Sequence, residues 1–368
     1  MWLPDSEELG IEYLSRLFDN KSECYKLFWF QAIVNKVAEG KEILSFNELI
    51  NEMIADSWYM VTEYKLNLGP KDNLEILVQY IYDQEQGRLK TSENKVNIIH
   101  YLENCTDRNV NAIKRKLKTN VPYRLQAPFF EQLKGDTQWS ASESNIIKKI
   151  NQENRLMYYF SELSGLNTKI YLQPEWCSYI AKHQEILKGW IQYNMIVYLQ
   201  RRNPNVPGIA NKLEAPRERK LTKVIKYWRT VVDLIPVYDI YGDQLLTKND
   251  ISIDHFIPWS YVAHDEFWNL SPTTKSINSS KSNNLPRWER YFKKLCGLEY
   301  RCYELMWKNE RVGNEFEACK GTHMNSNEVL TQLYRQGLSE ETFCASLEVI
   351  LLPVYESARN IGFKDWEL

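Results

Sequence analysis

One short segment of the chain ends a strand-like pattern with an adjacent carboxylate and imidazole. Residues 252–258 read Ser-Ile-Asp-His-Phe-Ile-Pro. β-Branched and aromatic residues favour a strand, and neighbouring side chains of a strand point to opposite faces. We therefore expect Asp254 and His255 on opposite sides of a strand end. An isolated pair of this kind is more often structural, holding a turn, so the residues that follow it decide its meaning.

Two asparagines, Asn269 and Asn278, follow this pair. Hard divalent cations such as Mg²⁺ prefer oxygen ligands, which the Asp254 carboxylate and the Asn278 carboxamide can supply. The His255 imidazole titrates near neutrality and can take a proton from water. Together these groups are suited to metal-assisted hydrolysis of a phosphodiester.

The spacing of these residues resembles that of the HNH, or ββα-metal, nuclease family over roughly residues 234–290. The resemblance is most direct to the HNH domain of RNA-guided CRISPR DNA nucleases. It implies that Asp254 and Asn278 bind a Mg²⁺ or Mn²⁺ ion and that His255 is the general base. It also implies that Asn269 is a structural residue of the active site, tying the loop over the strand, and that Lys281 lies near substrate phosphate.

The sequence departs from many HNH proteins because it has no pair of Cys-x-x-Cys motifs, so we expect no structural zinc. The nearest pair in the region, Cys296 and Cys302, has the wrong spacing. Aromatic residues are predicted to pack the module instead: Trp259, Phe267, Trp268 and Trp288. We expect His264 to be a solvated loop residue rather than a ligand, and His323 to be solvated in a loop spanning 321–327.

Length and element patterns predict an α+β protein with three parts. The chain has 368 residues, of which 43% are hydrophobic and 13% aromatic, so it has ample material for a core. Residues 1–205 are predicted to form a mainly helical recognition or regulatory domain. Residues 206–290 are predicted to form a basic helix followed by the HNH core, and residues 291–368 a helical C-terminal extension.

Local signals within the first part are mainly helical. Ser45 and Glu48 form a capping-box pattern that predicts a helix start. Residues 121–130 and 169–172 are candidates for a small β-ribbon. His100 is interpreted as structural, as is His183. Several aromatic residues recur in apolar helical patterns, which favours core packing over base stacking: Trp29, Trp58, Tyr59, Trp176 and Trp190.

Charge is unevenly distributed. The net charge is −2, yet residues 201–300 contain 16 Lys and Arg against 11 Asp and Glu. A predicted basic helix, with Pro216 in its first turn and Arg217 just after it, carries Arg219, Lys223 and Lys226, which we interpret as DNA-binding. The alternative is that these charges form a solvated helix face.

Other features bear on location. No run of 18 apolar residues marks a membrane span, and the N-terminal residues lack the pattern of a signal peptide. The seven cysteines are scattered, which favours reduced thiols. A cytoplasmic protein without membrane association is expected.

The sequence favours a metal-dependent DNA endonuclease, with one HNH core acting as a nickase. An HNH core with an auxiliary domain resembles bacterial restriction and anti-phage defence nucleases, which suggests a partner protein of a multi-component system in addition to DNA. Two alternatives stay open. One is a non-cleaving DNA- or protein-binding subunit that keeps the HNH fold, and the other is a nuclease that acts on RNA.

Overall fold

The computed structural model describes residues 2–19, 23–85, 87–119, 121–130, 142–153, 156–215 and 219–368. It is mixed α/β and 59% helical with few small sheets, consistent with the α+β class. The chain divides into two compact units, Met1–Pro204 with Lys212–Ala215 and Asn205–Asn211 with Pro216–Leu368. The three-part division drawn from the sequence stays a prediction.

The first unit is built from helices and one small sheet. Its helices are α1 Ile11–Leu14, α2 Tyr25–Ala38, α3 Phe46–Thr62, α4 Asn73–Gln84, α5 Lys95–Asn104, α6 Arg108–Leu117, α7 Val121–Arg124, α8 Glu143–Asn151, α9 Pro174–Lys182 and α10 Gln184–Arg202. Its strands are β1 Ile43–Ser45, β2 Tyr158–Phe160 and β3 Lys169–Leu172, in the antiparallel order β1-β3-β2.

The capping box is confirmed at the start of α3. Ser45 Oγ accepts a hydrogen bond from the Glu48 amide at 3.2 Å, and the Glu48 carboxylate accepts one from the Ser45 amide at 2.8 Å. The four tryptophans expected in the core of this unit are buried, whereas Tyr59 is half-buried.

The predicted ribbon is only half right. Lys169–Leu172 is the central strand of the sheet. Residues 121–130 instead form the helix Val121–Arg124 and a 3₁₀ turn, Ala127–Phe129. Prolines at 122 and 128 lack the amide donor that a strand ladder needs, and a helical start tolerates that loss.

The second unit carries a strand pair followed by a helix. Its strands are β4 Ser252–His255, β5 Leu270–Thr273, β6 Leu285–Pro286 and β7 Asp365–Trp366, and its helices are α11 Thr222–Leu234, α12 Lys275–Lys281, α13 Trp288–Lys308, α14 Glu310–His323, α15 Asn327–Leu333 and α16 Glu340–Asn360. β4 and β5 are antiparallel, with Asp254 opposite Ser271 and His255 opposite Leu270, and β6 runs parallel to β7.

Local signals place the helix after the strand pair. The Thr274 hydroxyl accepts a hydrogen bond from the Ile277 amide and so caps α12. Behind the pair, the indole of Trp228 on α11 donates to the Leu270 carbonyl at 3.3 Å. The basic helix begins at Thr222, later than the sequence pattern suggested, while Pro216 and Arg217 lie outside the described residues.

The expectation of reduced thiols throughout is wrong for one pair. Cys296 on α13 and Cys344 on α16 form a disulfide across 48 residues of sequence, and the other described cysteines are free. No spacing signal marks this pair in the sequence, because its partners meet only through the packing of α13 against α16. Among the described helices, none is long and apolar enough to cross a membrane.

A buried carboxylic acid lies in the core of the second unit. Glu299 on α13 is buried, and its Oε1 has no hydrogen-bond partner among the described residues. Burial raises the pKa of Glu299 well above its usual range. Its titratable neighbours, Tyr227, Cys302 and Tyr334, are buried groups whose own pKa values burial also raises. Burial therefore favours the neutral form of this carboxyl group.

We predict that Glu299→Gln removes part of the pH dependence of stability. The pKa of Glu299 is raised in the folded state. The contribution of this group to the free energy of unfolding is therefore complete below its pKa in the unfolded chain. That contribution is lost as the pH rises toward its pKa in the folded protein. The wild-type loss from this group is about 1.4 kcal/mol per pH unit between those two values. Urea unfolding of both proteins between about pH 5 and 8 measures the difference. Identical slopes for the two proteins would contradict this prediction.

Candidate active site

Asp254, on β4, is a buried carboxylate with a partner on each oxygen. Its side chain is 3% exposed. Oδ2 accepts a hydrogen bond from the Tyr241 hydroxyl at 2.6 Å, and Oδ1 forms an ion pair with Lys281 Nζ at 3.1 Å. Burial, followed by the nearby Asp254 charge, raises the pKa of Tyr241, so the phenol stays protonated and donates. Such pairing makes a buried charge tolerable.

Lys281, the last residue of α12, is buried, and the family resemblance implied a position near substrate phosphate. Its side chain is 1% exposed, and in addition to Asp254 it donates to the His255 carbonyl at 2.6 Å. Burial lowers the pKa of Lys281, and the Asp254 carboxylate opposes that effect. The Lys281 ammonium group is thus paired with Asp254, and its contact with substrate phosphate stays a prediction.

His255 contacts a different set of residues from Asp254, as expected for the opposite side of a strand. Its ring is 5% exposed, and Nε2 lies 2.6 Å from Asp265 Oδ1. An ionised carboxylate can only accept, so Nε2 carries the proton and Nδ1 carries the lone pair when the ring is neutral. Burial lowers the pKa of His255 and the Arg219 charge adds to this, while Asp265 opposes both. The site thus favours a neutral imidazole whose basic nitrogen is Nδ1.

Arg219 lies against the face of the His255 ring. One guanidinium nitrogen, Nη1, is 3.1 Å from Nδ1 and 3.5 Å from Nε2. An atom in line with the lone pair of one ring nitrogen is far from the other, so these similar distances place Nη1 over the ring. The guanidinium carbon also lies 3.9 Å from the ring centre of Trp259, a cation–π contact. Arg219 is therefore held above the base rather than in the plane of its lone pair.

The two asparagines have different environments. Asn269 is fully buried, and its amide both accepts from the Ile257 amide at 2.7 Å and donates to the Ile257 carbonyl at 2.9 Å. Asn278, half-buried on α12, donates through Nδ2 to Ser252 Oγ at 2.8 Å and to the Ile253 carbonyl at 3.0 Å. Asn269 thus closes the loop after β4, and Asn278 attaches α12 to β4.

The donor set at this strand suits a hard divalent cation. Asp254 already binds a cationic group, the Lys281 ammonium, so this carboxylate is able to bind a cation. Asn278 binds the strand through Nδ2, and its amide oxygen is of the type that a hard cation accepts as a second ligand. The residues therefore fit a metal, with Lys281 occupying part of the capacity of Asp254. No cluster of three or more His, Cys, Asp or Glu ligands occurs within the described ranges.

The other predicted site residues have partners within the second unit. Lys223 donates to Thr322 Oγ1 at 2.8 Å, and Lys226, whose side chain is 71% exposed, pairs with Glu315 at 2.7 Å.

His264 is exposed, as expected for a loop residue. The prediction for His323 is wrong, because this residue ends α14, is 3% exposed, and lies with Nδ1 2.9 Å from the Asp265 carbonyl.

Sequence reasoning missed two residues that contact the pair on β4. Tyr241 precedes β4, and no pattern in the sequence singles it out. Asp265 had a usable signal, because it lies in the loop between His255 and Asn269. Since Asn269 returns that loop to the strand, a carboxylate within it is brought back beside the imidazole.

Residues 238–287 match the family model described as HNH endonuclease. The match supports the family resemblance for this segment and suggests nuclease activity. It includes β4, β5 and α12 and omits Arg219 and the helices after β6. No curated protein and no solved structure matches the chain.

We predict that Asn269→Ala destabilises the protein by about 2 to 4 kcal/mol, because it leaves both backbone groups of buried Ile257 without their partner. Asn278→Ala, at a half-buried position, is the matched variant and is expected to cost about 1 kcal/mol. Urea unfolding measures both values. A loss for Asn269→Ala no greater than that for Asn278→Ala would contradict the tie assigned to Asn269.

Proposed function

We propose that this protein is a metal-dependent HNH endonuclease that hydrolyses DNA phosphodiester bonds and nicks one strand at a time. One observation carries the proposal. Asp254 and His255 have separate partners on two sides of one strand end, and Asn278 is bound to the same strand. This arrangement supports a metal-binding carboxylate beside a neutral base, which is what hydrolysis of a phosphodiester needs.

In this proposal His255 performs the proton transfer. Nδ1 takes a proton from water as the water oxygen forms a bond to phosphorus. The bond from phosphorus to the leaving deoxyribose oxygen breaks, and that oxygen takes a proton from solvent. Because the site lowers the pKa of His255, the imidazole is ready to accept a proton at neutral pH.

The remaining groups stabilise negative charge. Asp254 and Asn278 would hold a Mg²⁺ or Mn²⁺ ion, which supplies electrostatic stabilisation of the charge that develops on phosphate oxygens. Arg219 lies over the His255 ring with its guanidinium beside the base. We assign it to the phosphate under attack, because a planar guanidinium pairs well with phosphate oxygens. A single metal site and a single base can process one strand at a time.

We predict that His255→Ala lowers plasmid nicking by at least about 10²-fold, because the variant loses the base but no metal ligand. Mn²⁺ binding, measured by electron paramagnetic resonance, should stay near the wild-type value. Asp254→Ala should weaken Mn²⁺ binding as well as nicking, and Asn278→Ala should raise the metal concentration needed for cleavage. Open circles should precede linear DNA in the time course.

Two results would overturn the mechanism. One is nicking by His255→Ala at the wild-type rate, and the other is unchanged Mn²⁺ affinity in Asp254→Ala. Parallel reactions with single-stranded DNA and RNA identify the substrate. If wild-type protein binds duplex DNA tightly but cleaves no nucleic acid with Mg²⁺ or Mn²⁺, the protein is instead a DNA-binding subunit with an HNH fold.

We predict that replacing Arg219, Lys223 and Lys226 with Gln weakens duplex binding for all sequences and reduces the salt dependence of affinity. Each phosphate that the variant fails to neutralise should lower the slope of log affinity against log salt by about 0.9. The matched control replaces three exposed lysines of the first unit, Lys148, Lys149 and Lys182, and changes the net charge equally. Equal slopes for the two triple variants would mean that these basic residues do not bind phosphate. Lys223 and Lys226 would then serve only their contacts with Thr322 and Glu315.

The biological setting is part of the proposal. An HNH core within a larger, mainly helical chain resembles bacterial restriction and anti-phage defence nucleases, and the proposed role in defence rests on that resemblance. HNH modules contact phosphate more than base edges, so target choice is assigned to the first unit or to a partner protein.

A further inference from the structure

The loop that returns from His255 to Asn269 carries a carboxylate that touches the base directly. Asp265 Oδ1 lies 2.6 Å from His255 Nε2, and the Asp265 side chain is 26% exposed. Although burial raises the pKa of Asp265, the hydrogen bond from His255 and nearby positive charges hold that pKa below its usual range. At 2.6 Å the Asp265 carboxylate accepts the hydrogen bond from Nε2, and this contact fixes which nitrogen of His255 carries the proton.

The backbone of Asp265 is held by a second histidine from a distant part of the chain. His323 Nδ1 lies 2.9 Å from the Asp265 carbonyl oxygen. A carbonyl oxygen only accepts, so Nδ1 of His323 must be the protonated nitrogen. His323 is buried, and its other nitrogen has no hydrogen-bond partner among the described residues. Within the described part of the chain, the one hydrogen bond of this ring is therefore to Asp265, the residue that binds the base.

We propose that Asp265 is the positioning residue of His255 and that His323, at the end of α14, positions Asp265 in turn. This inference rests on the proposed function, because it assigns the base of that reaction a partner. Asp265 keeps the proton on Nε2 and directs Nδ1 toward the attacking water. His323 prevents the loop from turning the carboxylate away. Neither residue touches the substrate, so each acts only through the orientation and tautomer of His255.

A neutral imidazole whose proton sits on the wrong nitrogen cannot accept a proton at Nδ1. Asp265→Asn removes the charge that selects the tautomer, and the Asn amide can also donate to Nε2 and so favour the opposite form. In a Ser-His-Asp triad the equivalent change lowers kcat by about 10⁴-fold while leaving the geometry intact. Because Asp265 does not contact DNA in this proposal, KM should change little while kcat falls.

The test measures the tautomer directly. The full-length protein is labelled with ¹⁵N-histidine, and the His255 ring signals are identified by their loss in His255→Gln. Long-range ¹H–¹⁵N spectra should show the Nε2–H form in wild-type protein and a shift toward Nδ1–H in Asp265→Asn. Plasmid nicking by Asp265→Asn should fall by about 10²-fold or more, in kcat rather than in KM.

Matched variants separate positioning from general disturbance of the loop. His264→Gln changes the exposed neighbour of Asp265 and should keep the wild-type tautomer and rate. His323→Leu removes the donor to the Asp265 carbonyl and should give a mixture of the two His255 tautomers. His323→Asn, whose Nδ2 takes the place of the ring Nδ1, should restore it. Thermal melting followed by circular dichroism establishes that each variant is folded.

The outcomes distinguish this inference from the proposed function. An unchanged His255 tautomer in folded Asp265→Asn overturns the role of Asp265, whatever the cleavage assay gives. Equal effects of His323→Leu and His323→Asn overturn the role of His323. If the tautomer shifts as expected but wild-type protein cleaves no nucleic acid, the positioning role stands and the proposed function fails.

Discussion

The site depends on the cost of burying ionisable groups at the end of one short strand. Asp254 and His255 are both almost inaccessible to solvent, and a buried charge or polar group without partners is destabilising by several kcal/mol. Partners are therefore drawn from separate segments of the second unit. Tyr241 and Lys281 bind the carboxylate, and Asp265 binds the imidazole, while Arg219 lies over the imidazole ring. The hydrogen bonds and the ion pair made by these two side chains hold the surrounding loops and helices against the strand.

The sequence was informative about the site wherever the chemistry is local. The spacing of Asp254, Asn269 and Asn278 predicted a strand, a returning loop and a helix, and the structure has these elements in that order. The catalytic and metal-binding roles stay predictions, since no comparison tests them. Contacts between distant segments could not be predicted from the sequence. His323 lies 58 residues from Asp265, and only the packing of α14 beside the loop brings the two together.

Two buried polar residues of the second unit, Lys281 and His323, share one physical cause for their burial. His323 was expected in a solvated loop because polar side chains are usually solvated. Lys281 was expected near substrate phosphate from the family resemblance. Both are buried because each has a specific acceptor close to the strand pair. The lysines of α11 show a milder form of the same effect, since Lys223 and Lys226 face polar groups of α14 as well as solvent. A polar residue beside a buried charge is therefore poorly described by its average exposure.

The disulfide between Cys296 and Cys344 encloses α14 and α15 in a covalent ring of chain, and His323 lies within that ring. The segment that matches the HNH model ends at residue 287, before this ring begins. Transplanting residues 238–287 into another protein would carry the carboxylate, the imidazole and both asparagines but leave Arg219 and His323 behind. Recombination between genes would therefore have to exchange a longer coding segment to preserve the environment of His255. That segment is longer than the one by which the family is recognised.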